Sequence, residues 1–223
     1  MDKGQFDIEQ EVAAALALSG MAGLADTERL NLGAFLAEVS IWGERIHLMG
    51  RARRNENLRW QLIDSLLLLA AAERAAPDLF GASRVRLADI GSGAGFPGAV
   101  WKIARPRLET VLFERKRKPH IFLERTIAVL GLAGAEASGE DAAAHAGAGS
   151  FDVVVSKAAG RLPEMLPLAA RLLVPGGLYV TIKGAAWKEE LELAAGDAMK
   201  STGVVALPHD RGHALFFRKS ARY

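Results

Sequence analysis

Cysteine is absent from all 223 residues, which excludes disulfides, thiolate metal sites and cysteine nucleophiles. Long hydrophobic runs are missing too. The longest, Leu66 to Ala72, is too short to span a bilayer. Met1 to Gln10 is polar, without the apolar core of a signal peptide, so a soluble, cytoplasmic protein is expected. Five histidines are present, but there is no H-E-x-x-H pattern. His209 and His213 stand four apart, yet Gly212 and Pro208 argue against a helix that would align them, and no metal site is expected. Repeats and low-complexity tracts are also lacking.

Half of the residues are hydrophobic, enough for a full core in one large domain or one domain with a helical extension. The net charge is only +2 but is unevenly spread. Trp101 to Arg125 carries eight Lys and Arg against three acids, including the run Arg115-Lys116-Arg117-Lys118. Arg51, Arg53, Arg54 and Arg59 form a second cluster. Two basic clusters can be solvated faces, or they can mark nucleic acid as a partner.

The apolar spacing is helical from about Asp7 to Ala76. Leu30, Phe35, Leu36, Val39, Trp42, Ile46 and Met49 recur at three- and four-residue steps, with Asp26 as an expected N-cap. A further helix is predicted over 57–75, ending before Pro77. Trp42 and Trp60 read as core side chains rather than ligand stackers. After Gly81 short strands alternate with helices, which argues for a parallel sheet. Strands are expected near 85–90, 109–114, 134–138, 151–156, 178–183, 203–208 and 213–219. Helices are expected near 97–105, 119–131, 161–173 and 186–201. Pro175-Gly176-Gly177 reads as a tight turn into the fifth strand, and the last two strands as an antiparallel hairpin. The predicted organisation is a helical cap over residues 1–80 on an α/β domain over 81–223.

The chemistry centres on V-R-L-A-D-I-G-S-G-A-G-F-P-G, Val85 to Gly98. A strand ends in Asp89 and breaks into Gly91, Gly93, Gly95 and Gly98. Such a turn lets backbone approach a nucleotide-type ligand that a Cβ would repel. Glu114 closes the next apolar run 23 residues after Gly91, about where such folds present a carboxylate to ribose hydroxyls. The dinucleotide version of the turn seats a pyrophosphate on backbone amides. Here Pro97 offers no amide hydrogen and Asp89 would repel a pyrophosphate. Both features favour a cationic sulfonium nucleoside, S-adenosyl-L-methionine, over a nicotinamide or flavin. Asp89 would either fix the loop or meet the ligand's positive charge, and a Val at Gly93 is expected to abolish cofactor binding.

Seven strands, this turn, P-G-G before the fifth strand and a terminal hairpin resemble the class I S-adenosylmethionine-dependent methyltransferases. Three segments narrow the likeness: G-S-G-A-G-F-P-G, V-L-F-E-R-K-R-K-P-H-I-F-L-E-R, and F-D-V-V-V-S-K-A-A-G-R-L-P-E-M-L with L-L-V-P-G-G-L-Y-V-T-I-K-G. They are similar to the 16S rRNA guanine-7-N methyltransferase family, also called glucose-inhibited division protein B. F-L-A-E-V-S-I-W-G-E-R-I-H-L and L-I-D-S-L-L agree, so the likeness covers roughly residues 30 to 220. It implies cofactor contacts at Gly91 and Phe96, in the turn that also holds Gly93 and Gly95, at the pair Glu140-Asp141 after the third strand, and at Lys157 at the end of the fourth. It implies as substrate a guanine of 16S rRNA, free or in the 30S particle. The chain departs from the family pattern at Lys157, where the family usually has Arg, at Trp60-Gln61, where it has Arg-His, and at His47-Leu48-Met49, where it has N-L-T.

Guanine nitrogen 7 has an in-plane lone pair and no proton to lose, so its methylation needs positioning and electrostatics rather than a general base. Common rivals lack their residues here. Carbon-5 methylation of pyrimidines commonly uses cysteine. Exocyclic-amine methylation often uses an Asp/Asn-Pro-Pro-aromatic motif, and Ser156-Lys157-Ala158-Ala159 stands in its place. Lys157 is the expected catalytic contact, to guanine oxygen 6 or a phosphate, with Lys183 a weaker candidate and Ser156 a turn residue. Alternatives are the same fold acting on another RNA or a small molecule, a degenerate RNA-binding or assembly protein, and a nicotinamide oxidoreductase. A monomer is expected.

Overall fold

The computed structural model describes residues 7–46, 54–194 and 196–221, with the side chains at 44, 46, 54 and 55 outside that description. His47, Leu48, Met49, Arg51 and Arg53 lie outside the described residues. Three long helices open the chain: α1 (Ile8–Ser19), α2 (Asp26–Ile46) and α3 (Arg54–Ala75). Asp7 caps α1, its carboxylate accepting from the amides of Glu9 and Gln10 at 3.0 and 3.2 Å. Asp26 was the expected cap of α2 but lies within its first turn, where a negative charge favours the helix N-terminus.

The apolar stripe of α2, with Leu32, Phe35, Leu36 and Val39, is fully buried. From Leu62 to Ala72 α3 is apolar at all positions but Asp64 and Ser65, because this part is covered on several sides, packing on α1 and on elements of the sheet layer. A short α4 (Pro77–Phe80) follows.

Then come β1 (Val85–Ile90), α5 (Gly98–Ala104), β2 (Leu108–Phe113), α6 (Arg117–Val129), β3 (Ala135–Ser138), β4 (Phe151–Lys157), α7 (Leu162–Leu172), β5 (Leu173–Lys183), α8 (Trp187–Leu193), β6 (Met199–Ala206) and β7 (His213–Lys219). The sheet order is β3-β2-β1-β4-β5-β7-β6, with β7 antiparallel to both neighbours and the other pairs parallel. The chain leaves β1 in one direction and returns at β4 on the other side. That places a topological switch point at the carboxyl ends of β1 and β4, where ligands of open α/β sheets bind.

Two expectations need correction. Pro175-Gly176-Gly177 is not a separate turn: β5 already begins at Leu173, and the triplet lies within it, where the pairing with β4 shifts register between Phe151 and Val153. Gly176 has φ 78°, which supplies the irregularity. Helix α8 ends at Leu193, well short of 201, because β6 takes the chain from Met199.

One apolar cluster runs from α1, α2 and α3 into the sheet, with Phe35, Leu62 and Trp101 buried alongside Val153 and Val180. Trp101 donates its indole N–H to the carbonyl of Ser65 at 2.9 Å, fastening α5 to α3. Trp42 and Trp60 are only partly buried, and both face guanidinium groups.

Candidate active site

The turn after β1 is a closed hydrogen-bonded unit. Gly91, Gly93 and Gly95 have φ of 72°, 56° and 91°, left-handed values that L side chains rarely adopt. The amides of Gly91 and Ser92 both donate to the carbonyl of Phe113, at 2.9 and 3.0 Å, which locks the turn to the end of β2. Glu114 finishes the job. One carboxylate oxygen accepts from the amide of Gly93 at 3.0 Å and the other from the amide of Lys116 at 2.8 Å.

Asp89 is fully buried, and one of its oxygens accepts from the amide of Gly98 at 2.9 Å. Its other oxygen, Oδ1, is buried without a partner among the described residues. Burial pushes this carboxyl up to about 6, with the Gly98 amide acting in the opposite direction. Gly98 lets α5 lie directly on β1, since a Cβ there would stand 2.6 Å from the Asp89 side chain and from Leu112.

A cleft of about 320 Å³ opens at the carboxyl ends of β1, β2 and β3. Gly91, Glu114, Glu140, Asp141, Ala158 and Met165 are among its walls. Asp141 is held by the amide of Ala143 at 2.9 Å and the guanidinium of Arg115 at 2.8 Å, which together keep it well below the usual carboxylate range. Glu140 meets the His145 ring nitrogen at 3.0 Å, and that ring packs edge-on to Phe113. Two larger grooves, about 570 and 760 Å³, lie on the helical side and include no residue of the glycine turn.

The rest of the turn faces the helices. The Phe96 ring, buried after a cis Phe96–Pro97 bond, meets Phe35 of α2 edge-on at 5.1 Å. Lys157, at the end of β4, puts its ammonium 5.3 Å from the centre of the Phe96 ring and donates to the side-chain oxygen of Gln61 on α3. Burial pulls Lys157 down to about 8; Asp64 and Asp89 raise it and Arg211 lowers it. Gly91, Glu114, Glu140 and Asp141 therefore share one cleft. Gly95, Phe96 and Lys157 lie on the side that faces α2 and α3, and Gly93 is tied to the cleft by its amide bond to Glu114.

Gln61 and Asp64 escape a reading based on sequence spacing, because their partners are remote in the chain. Asp64 accepts a two-pronged contact from Arg211, at 2.8 to 3.2 Å. Arg211 also lies 5.1 Å over the Trp60 ring. The one available signal for Asp64 was an acid inside an otherwise apolar helix. Ser156 does not serve the turn backbone as expected. Its hydroxyl joins Tyr179 and Thr181 at 2.8 and 3.3 Å, inside the sheet. Lys183 is held by the Gly160 carbonyl and by Glu190 at 3.0 Å. Among the described residues no group of three His, Asp or Glu could hold a metal ion.

The glycine turn, the acids at the ends of β1 and β2, and the antiparallel last-but-one strand of the sheet define a class I S-adenosylmethionine-dependent methyltransferase. The family model described as rRNA small subunit methyltransferase G (GidB) matches residues 29–212, and the chain belongs to that family. A ribosomal RNA small subunit methyltransferase G from Geobacter sp. (strain M21) is 35% identical over 185 residues, 82% of this chain and 80% of its own. In fold, the chain is similar to a methyltransferase from Geobacter sulfurreducens, with a TM-score of 0.58, 14% identity and coverage of 94% and 97%. A SAM-dependent O-methyltransferase from Thermotoga maritima gives a TM-score of 0.53 at 14% identity, covering 69% and 66%.

Proposed function

We propose that this enzyme methylates ring nitrogen 7 of a guanine in 16S rRNA, free or in the 30S particle, and that it acts in the cytoplasm as a monomer. In this reading residues 1–80 form a cap that helps receive RNA, and 81–223 form the catalytic domain. S-Adenosylmethionine supplies, when bound, an electrophilic methyl on a sulfonium. The residues present fit it. The cleft is walled by acids, and the orphaned oxygen of buried Asp89 suits a cationic ligand. Glu114 would hold the ribose hydroxyls, Glu140 and Asp141 the adenine end, and Gly91, Gly93 and Gly95 would bring backbone close. Phe96 and Lys157 stand on the side where the base would enter.

One observation carries the choice of nucleophile. The acids that influence Lys157 are Asp64 and Asp89, and both are engaged, Asp64 by Arg211 and Asp89 by the Gly98 amide. Asp89 keeps one unpartnered oxygen, but it is sealed from solvent beneath the glycine turn, so among the described residues neither acid is exposed to take a proton from a base, which suits a ring nitrogen that has no proton to lose.

RNA binding has its own support. Of the basic residues from Trp101 to Arg125, four are spent internally: Lys102 on two carbonyls, Arg105 on Glu73, Arg107 on the carbonyls of Phe80 and Ala82, and Arg125 on Glu38 and the Trp42 face. Arg115 to Lys118 remain exposed beside the cleft, with Arg115 paired to Asp141. Phosphate contacts at a loop and helix start are their natural use. The test is methylation of 30S particles lacking their guanine-7 methyl, with the product located by mass spectrometry. One 7-methylguanine is expected. Methylation at another atom or RNA would sink the reading, as would no turnover despite bound cofactor.

A further inference from the structure

We propose that Gln61 is the residue that recognises the target base, its side-chain amide donating to oxygen 6 of the purine, and that Lys157 acts by holding Gln61 in place. This inference rests on the proposed guanine substrate. Gln61 lies on α3, and Lys157 at the end of β4, so the sequence keeps them 96 residues apart; the fold brings them into hydrogen-bond contact. A lysine ammonium only donates, so it must face the oxygen of the Gln61 amide, and the amide's orientation follows from chemistry. With the oxygen capped, the remaining face of Gln61 is its NH₂ group, which has no partner among the described residues.

That leaves a pure donor at the wall where the base would enter. It complements the carbonyl at position 6 of guanine and opposes the amino group at position 6 of adenine, because two donors meeting in a desolvated site leave both unpaired. A neutral donor also suits the reaction. Forming the N7–methyl bond leaves the purine positively charged, and an ammonium pressed directly on the base would repel that product. Lys157 gives one N–H to the Gln61 oxygen and rests against the Phe96 face. The other charged groups near it are Asp64, Asp89 and Arg211, and Asp64 and Arg211 hold each other.

The experiment uses 30S particles lacking the guanine-7 methyl, with 16S rRNA ligated to carry either guanine or 2-aminopurine, which lacks oxygen 6, at the target. Wild-type protein is expected to lose at least tenfold in kcat/KM on 2-aminopurine. Gln61→Ala should lose roughly 10–100-fold on guanine but less than about threefold more on 2-aminopurine, because the contact is already gone. S-Adenosylmethionine affinity by calorimetry should match wild type, while the thermal midpoint should fall because the desolvated Lys157 ammonium loses its acceptor. Gln61→His, which offers the lysine an acceptor and keeps an N–H donor, should recover most of the activity. Equal losses on 2-aminopurine in wild type and Gln61→Ala would overturn the proposal, since Gln61 would then not touch oxygen 6. So would a wild type indifferent to the base change. Failure of the guanine reading itself shows separately, as no product at nitrogen 7 on the unmodified particle.

Discussion

Asp89 sits fully buried under the glycine turn, with one oxygen on Gly98 and the other unpartnered. With its carboxyl raised to about 6, it holds a proton below that pH, and a nearby cation favours releasing it. Binding of the sulfonium should therefore strengthen as pH rises from 5 to 7, while the neutral thioether S-adenosylhomocysteine should show no such gain. Taking the ratio of the two affinities cancels any pH effect common to both ligands. Asp89→Asn should flatten the ratio; an unchanged slope in that variant would remove Asp89 from the cofactor site.

Lys157 gives a second pH signature of opposite origin. Burial lowers its pKa to about 8, so the ammonium that grips Gln61 is lost as pH climbs through that value. Turnover on saturating particles should fall above about pH 8. Lys157→Arg, charged throughout, should hold its rate across the window. A wild-type profile flat to pH 9.5 would contradict this.

Among the elements, the turn between β1 and α5 answers most directly to substitution. The sequence singles out Gly93 as the position to block, and its φ of 56° does make a side chain strained there. Yet a Cβ at Gly93 would meet nothing closer than 3.9 Å, whereas one at Gly98 would strike Asp89 and Leu112 at 2.6 Å. Gly98→Ala should therefore cost about 1–3 kcal/mol of stability and loosen α5 from β1. It should also weaken cofactor binding more than Gly93→Ala does, as read by denaturant unfolding and calorimetry.

Strands β1, β2 and β4 were legible because each is an apolar run ended by a turn or a charged residue, and the order of alternation implied a parallel sheet. The Pro175-Gly177 segment was misread because glycine and proline mark turns equally well whether the chain reverses or bulges inside a strand. Only the pairing of Phe151 and Val153 with β5 decides which. Helix α8 was overextended because its apolar spacing continues past Leu193, while the partner that claims Met199 onward, β7, lies further along the chain.

At the scale of the whole molecule, Asp64 and Arg211 tie α3 to the terminal hairpin. Asp64 is nearly inaccessible, so Arg211→Met would strand a buried charge at a cost of about 3 kcal/mol. The thermal midpoint should drop roughly 5–10 °C, and adding Asp64→Asn should restore part of it. A drop below 2 °C would show that the pair contributes little. The exposed basic face makes a separate prediction. Replacing Arg117 and Lys118, which are exposed and outside the cleft lining, with Gln should weaken binding to the 30S particle and lower the salt slope by about one for each lost phosphate contact, without affecting cofactor affinity.

The sequence by itself determined the class of fold and the glycine turn, because both depend on local patterning: apolar runs, glycines that tolerate φ > 0, and an acid at a strand end. It also determined the family, whose motifs are contiguous segments. Tertiary structure alone decided which charges are spent internally, which glycine bears a close approach, and that Gln61 meets Lys157 and Asp64 meets Arg211. Those are matters of distance between parts remote in the chain. Desolvation and pairing act only once the helices have been laid over the carboxyl edge of the sheet.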